Sequence, residues 1–274
     1  MECDLSSEIL YDFAPRIRVY KDGRIERLLK DDTVSPSFDP RTRVRSKDVS
    51  ITPCVSARIY LPTSSPETAK LPLLIYFHGG AFCLYSAASS IYHHYLNSLS
   101  AAANAIIVSI DYRLAPENPM PACYDDSWTA TQWAASAADP WLSSMADLRR
   151  GVYLAGDSAG ANIAHDVLSR VGPGGSIGPG VRVAGLAVVH PFFGDDEPNE
   201  LWNYLYPGTS GVYDPRLNPA AHPARMRRAV MGCKRVLVCV GGKDFLRDRG
   251  VRYYEVLKEG QVRVGRGRLS ILRV

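Results

Sequence analysis

Five short apolar runs constrain this chain more than anything else in it: Leu73–Phe77, Ala105–Ile110, Val152–Ala155, Ala184–Val189 and Val236–Val240. They do not alternate with polar residues, so they read as strands covered on both faces, as parallel strands under helices are. Between them lie segments with helical spacing, at Ser89–Ala103, Tyr124–Ala138, Ala159–Val171 and Asp248–Lys258. In the third, Ala161, Ala164, Val167, Leu168 and Val171 fall on one stripe. Alternating strand and helix predicts an α/β fold with a mostly parallel central sheet and helices on both faces. In such a sheet ligands bind beyond the carboxyl ends of the strands, so the residues after each run are the ones to read for chemistry.

The flanking sequence adds less. Residues 1–50 are polar and irregular except Ile17–Ile25, where Asp22-Gly23 predicts a hairpin. Val55–Tyr60 alternates and reads as a half-buried strand, followed by a polar loop from Thr63 to Lys70. Gly172–Gly180, rich in glycine and proline, reads as a surface loop. No repeat or linker divides the chain, so residues 1–274 are expected to form one domain, with 1–50 as an N-terminal lid or hairpin segment and 259–274 as an atypical tail. Within that tail, Leu269–Val274 has the composition of an edge strand. A net charge of +4 is too small to imply a nucleic-acid partner, and no apolar stretch is long enough to predict a membrane span. The six cysteines form no C-x-x-C pair, and the start holds acids rather than an apolar signal core. Reduced thiols in a soluble, cytoplasmic protein are expected.

After the first buried run comes His78-Gly79-Gly80-Ala81-Phe82, after the second Asp111-Tyr-Arg-Leu-Ala-Pro-Glu117, and after the third Gly156-Asp157-Ser158-Ala159-Gly160. The last run leads into Gly241-Gly-Lys-Asp244. Paired glycines allow backbone N–H groups to turn toward a substrate, and G-x-S-x-G presents a serine on a sharp strand-to-helix turn. A serine hydroxyl attacks only when a base removes its proton, and an acid usually orients that base. Asp157 reads either as a turn or cap residue or as a group at the substrate. Cys83 reads as a packed thiol. His93 and His94, adjacent and therefore on different helix faces, read as surface residues rather than a metal pair.

In family order over roughly residues 10–258, HGGAF, DYRLAPE, GDSAG and RVLVCVGGKDFLRDRGVRYYEVLK, with RIRVYKDGRIERL before them and DPRLNPAAH at 214–222, resemble the plant carboxylesterases. These belong to the hormone-sensitive-lipase-like α/β-hydrolases, a group that includes the gibberellin receptors. The resemblance implies an α/β-hydrolase fold and hydrolysis of small carboxylic esters through an acyl-serine. It implies Ser158 as nucleophile, Asp244 as acid, and an oxyanion hole formed by the N–H groups of Gly79, Gly80 and Ala159. His78 would support the glycine loop. Phe82, Asp157, Phe192 and Trp202 are candidates to contact substrate, with Phe193 and Tyr206 as further apolar lining. No metal or organic cofactor is implied, and the partner is a small ester or a hormone-like ligand. Relatives include dehydratases and lactone-forming acyl transferases, so the fold does not choose the substrate.

The same resemblance places the base on a loop after the last strand, in a Gly-His motif followed by a closing helix. Here the chain runs from Lys258 into EGQVRVGRGRLSILRV, and all six histidines (78, 93, 94, 165, 190, 222) precede Asp244. Three accounts stay open. In the first, the tail is that of a truncated or frame-shifted esterase and the last strand and helix region is incomplete, which would leave apolar sheet surface open. Alternatively, the protein binds a ligand without turnover, as the gibberellin receptors do. In the third account, His190, directly after a predicted strand, substitutes.

Overall fold

The computed structural model describes residues 8–63, 70–259 and 268–273. The N-terminal segment forms a small antiparallel sheet in which Ile17–Tyr20 (β2) pairs both Ile9–Phe13 (β1) and Ile25–Arg27 (β3). The expected hairpin is there, and β1 adds a third strand that its largely exposed residues did not announce.

The main sheet begins with Phe38–Asp39 (β4), Val44–Thr52 (β5) and Val55–Pro62 (β6), joined antiparallel. β5 falls in the segment read as irregular. Only Val44 of its nine residues is buried, so it lacks the apolar signal of a core strand. β6 is more buried than its alternation predicted, with Arg58 1% exposed. Asp48 accepts both Arg58 Nε (2.6 Å) and Nη2 (2.8 Å), and the Val34 carbonyl accepts Nη1 at 2.7 Å, which offsets the cost of burying the charge.

Leu73–Phe77 (β7), Ile106–Asp111 (β8), Val152–Asp157 (β9), the hairpin strand Ser176–Gly178 (β10), Val181–Val189 (β11), Arg235–Val240 (β12) and Arg268–Arg273 (β13) complete the sheet in the order β13-β12-β11-β9-β7-β8-β6-β5-β4, with β10 on β11. All five predicted buried runs are strands, and from β8 to β13 the pairing is parallel. β10 lies in the predicted 172–180 loop. Leu269–Arg273 is a strand as its composition allowed, in parallel register with β12; Val274 lies outside the described residues, as do Cys3 and most of the polar loop after Thr63.

The helices are Ser90–Ala103 (α1), Ala122–Ala135 (α2), Pro140–Met145 (α3), Ala159–Val171 (α4), Glu200–Leu205 (α5), Pro223–Val230 (α6) and Arg247–Glu259 (α7). α4 lays its alanine, valine and leucine stripe on the sheet with α2, α6 and α7 beside it, in a core that includes Ile75, Leu154 and Val188. On the opposite face, α1 packs Tyr92 and Leu96 against Tyr60, Tyr76, Ile107 and Ala155. His93, expected at the surface, is buried; its Nδ1 lies 3.2 Å from Arg58 Nη1, while His94 is exposed. Beyond α1 that face is open: a hollow of about 830 Å³ is lined by residues including Leu74, Tyr153, Ala187, Leu237 and Ser270.

Candidate active site

Ser158 stands between β9 and α4 at φ 51°, ψ −116°, outside the regions a non-glycine residue normally occupies. The turn is this tight because Gly160 sits against β7; a Cβ there would overlap the Phe77 carbonyl. Neighbouring backbone fixes the strained residue. Its N–H donates to Val189 O (2.9 Å), and its carbonyl accepts from Asn162 N (3.2 Å) and Phe192 N (2.9 Å). No other group among the described residues hydrogen-bonds the Ser158 hydroxyl, which faces the hollow described below.

The loop after β7 runs through positive φ at Gly80 (107°), Ala81 (53°) and Phe82 (63°). Only glycine fits at position 80, where a Cβ would overlap the Leu84 carbonyl. Gly79, expected among the oxyanion donors, points elsewhere: its N–H donates to Tyr92 Oη (2.8 Å) and Asp157 Oδ1 (3.0 Å). The N–H groups of Gly80, Ala81 and Ala159 make no hydrogen bond among the described residues, and Ala159 N lies at the start of α4, where the helix dipole favours negative charge. The donor set the structure offers is therefore shifted by one residue along the loop.

Asp157 also departs from expectation. Its carboxylate accepts Tyr76 Oη (2.8 Å) and Tyr92 Oη (2.9 Å) as well as the Gly79 N–H, so it clamps the glycine loop to the elbow rather than facing a substrate. Burial first, then the Asp157 charge, pushes both tyrosine hydroxyls well above their ordinary range, which keeps them as donors. Nothing local in the sequence marks Tyr76 or Tyr92 for this; Tyr92 lies on α1, far along the chain. His78 is fully buried and stacked on Tyr112 at 4.2 Å, and its Nδ1 lies 2.8 Å from Gly79 O; burial pushes its pKa down, so it supports the loop as a neutral ring.

At the end of β12, Asp244 turns back on itself, its Oδ1 accepting Leu246 N at 3.0 Å. Its Oδ2 lies 3.2 Å from His190 Nδ1, close enough for an ion pair though not aligned as a hydrogen bond. His190 follows β11 at φ 45°, and its N–H donates to Cys239 O at 2.8 Å.

A hollow of about 160 Å³ opens over Ser158, lined by residues including Arg16, Leu29, Gly80, Tyr85, Phe192 and Phe245. Phe192 lines it as expected. Phe82 and Trp202 do not: 2% and 1% exposed, they back Phe192 in an aromatic cluster with centroids 5.7–6.4 Å apart. Arg16, Leu29 and Tyr85 come from the N-terminal segment and the glycine loop, where no spacing rule pointed to them. The Arg16 side chain has no hydrogen-bond or ion-pair partner among the described residues. Cys83 is buried, its thiol pushed up to about 12 by burial, and serves as packing. No group of three histidine, cysteine or acidic side chains among the described residues is placed to hold a metal.

The model of the alpha/beta hydrolase fold family matches residues 74–268. The chain belongs to that family. Within it, its relatives are the plant carboxylesterases and their kin. It is 45% identical to a 2-hydroxyisoflavanone dehydratase of Glycyrrhiza echinata over 93% of this chain and 85% of that protein. It is 41% identical to probable carboxylesterase 3 of Arabidopsis thaliana over 95% of this chain and 87% of that protein. Among solved structures it superposes on brefeldin A esterase, a bacterial homologue of human hormone-sensitive lipase, with TM-score 0.66 and 20% identity over 85% of this chain and 71% of that one. The α/β-hydrolase has a mostly parallel sheet with helices on both faces, as the sequence predicted. No helix among its described residues is long and apolar enough to cross a membrane.

Proposed function

We propose that this α/β-hydrolase cleaves small carboxylic esters through an acyl-serine intermediate on Ser158. One observation carries the reading: a serine held at φ 51° whose hydroxyl is unengaged among the described residues, flanked by three backbone N–H groups that donate to no other described group. Attack of Oγ on an ester carbonyl moves the carbonyl π pair onto oxygen. The N–H groups of Gly80, Ala81 and Ala159 would hold that oxyanion, and one such donor is worth roughly 10²–10³ in kcat. The clamp from Asp157 and Tyr92 keeps the loop set for this without reorganisation. The free thiols of the described cysteines accord with a cytoplasmic setting.

The hollow of about 160 Å³ suits a short acyl group, and the one charged side chain lining it is Arg16, which has no ion-pair partner among the described residues. A short ester carrying a carboxylate is therefore the preferred substrate in this proposal. Replacing Arg16 by leucine should lower kcat/KM for such an ester about tenfold and leave a neutral ester of equal length unchanged, read from the two rate ratios.

The second reading is a small-ligand binding protein without turnover, favoured by a Ser158 hydroxyl that no histidine among the described residues hydrogen-bonds. Hydrolysis of p-nitrophenyl butyrate by this chain and by Ser158→Ala separates the two. A rate present in the first and lost in the second supports the esterase. Equal rates from two folded samples overturn it, and saturable binding of a small carboxylic acid without turnover would then support the second reading.

A further inference from the structure

The esterase reading needs a base, and five of the six histidines are committed elsewhere. His78 is sealed beneath the glycine loop, His93 lies against Arg58, and His94 is on the outer face of α1. His165 Nδ1 is 3.0 Å from Tyr253 Oη, and His222 Nε2 is 3.0 Å from Tyr213 O. Of the two that follow a strand at the carboxyl edge of the sheet, His78 and His190, only His190 is open to solvent.

Its position there is tied to the nucleophile. Val189 is in register with Asp157 across the β9–β11 ladder, so His190 is the next residue beside Ser158. Ser158 N donates to the residue before His190, and Phe192, two residues after it, donates to Ser158 O. Both strands end in a left-handed residue, Ser158 at φ 51° and His190 at φ 45°. The imidazole is 43% exposed, with Nδ1 3.2 Å from Asp244 Oδ2, which leaves Nε2 free.

Resting on the esterase reading above, we propose that His190, oriented by Asp244, is the base for Ser158 in this chain. No hydrogen bond joins the two side chains, so the proton passes through one water. That water takes the Oγ proton and gives its own to Nε2 as the Oγ–C bond forms. When the tetrahedral intermediate collapses, the C–O bond to the alcohol breaks and the imidazolium returns the proton to the leaving alkoxide. A second water then repeats the sequence on the acyl-serine and releases the acid.

The test compares wild type, Ser158→Ala and His190→Asn on p-nitrophenyl butyrate across pH, with and without added imidazole. Asparagine accepts a left-handed φ, so His190→Asn keeps the backbone; equal urea midpoints for the two folded proteins check this. The expected result is a loss of 10²–10⁴ in kcat in His190→Asn, disappearance of the rising limb of the pH profile, and partial rescue by imidazole. A merely structural histidine would not respond to imidazole. If His190→Asn keeps the Ser158-dependent rate, the base assignment falls and the esterase reading stands. If wild type is no faster than Ser158→Ala, the esterase reading falls and this inference with it.

Discussion

Ala81 holds φ 53°, where its methyl crowds the backbone. Relief of that crowding is worth about 1–2 kcal/mol, and the extra freedom glycine gives the unfolded chain takes back about 0.4–1 kcal/mol. Relief wins, so Ala81→Gly should raise stability by about 0.5–1 kcal/mol, read as a higher urea midpoint with unchanged slope. Asp157 works in the other direction. Asp157→Ala strands two donors, the hydroxyls of Tyr76 and Tyr92, in a largely buried setting, and leaves the Gly79 N–H with Tyr92 Oη alone. The cost should be on the order of 3 kcal/mol in urea unfolding. Asp157→Asn, which retains one acceptor oxygen, should lose less. GDSAG was legible because its spacing is local. The clamp was not, because its partners sit on β7 and on a separate helix.

α4 was read correctly to the residue from its apolar stripe, yet the stripe concealed a titratable group. His165 lies on the buried side between Tyr253 of α7 and Phe193, and burial, with the Arg225 charge second, pulls its pKa down to about 4. An unfolded histidine titrates near 6.5. Between those values the unfolded chain binds a proton that the folded one refuses. Stability from this group is therefore fully present above about pH 6.5 and is lost as pH falls toward 4, by on the order of 3 kcal/mol. His165→Gln should flatten urea stability over that window. It should not abolish the slope, because burial lowers the pKa of His78 in the same direction. The β strands show the complementary limit. Runs apolar on both faces are strands without exception, whereas β5, which mixes Arg45, Lys47 and Asp48 with serines and buries only Val44, carries no such signal because an outlying strand needs none.

Over the whole molecule, the larger hollow is not the site. The space of about 830 Å³ is lined by Pro72, Leu74, Ala105 and Arg235, toward the amino ends of the strands, whereas chemistry in this fold belongs at the carboxyl ends. What the larger hollow offers, among the described residues, is exposed apolar sheet, with Leu237 in its lining 38% exposed. The folded protein should therefore bind an apolar dye such as anilinonaphthalene sulfonate. Leu237→Lys should weaken that fluorescence and slow aggregation without altering any Ser158-dependent rate. Dye fluorescence no higher than that of a closed globular control would count against an accessible apolar face.

By itself, the sequence determined the parallel sheet, four of its helices and the tight glycine-serine turn after β9, because each is written in periodicity or in residues a few positions apart. Only the tertiary structure decided which amides are free. Gly79 is adjacent to Gly80 and chemically identical to it, but Tyr92 and Asp157 reach its N–H and not the next one. Likewise, six histidines are equivalent as letters, and the ladder between β9 and β11 puts one of them beside Ser158 and Asp244. Hydrogen-bond partners and strand neighbours are chosen by segments brought together in space, and spacing along the chain carries no record of that choice.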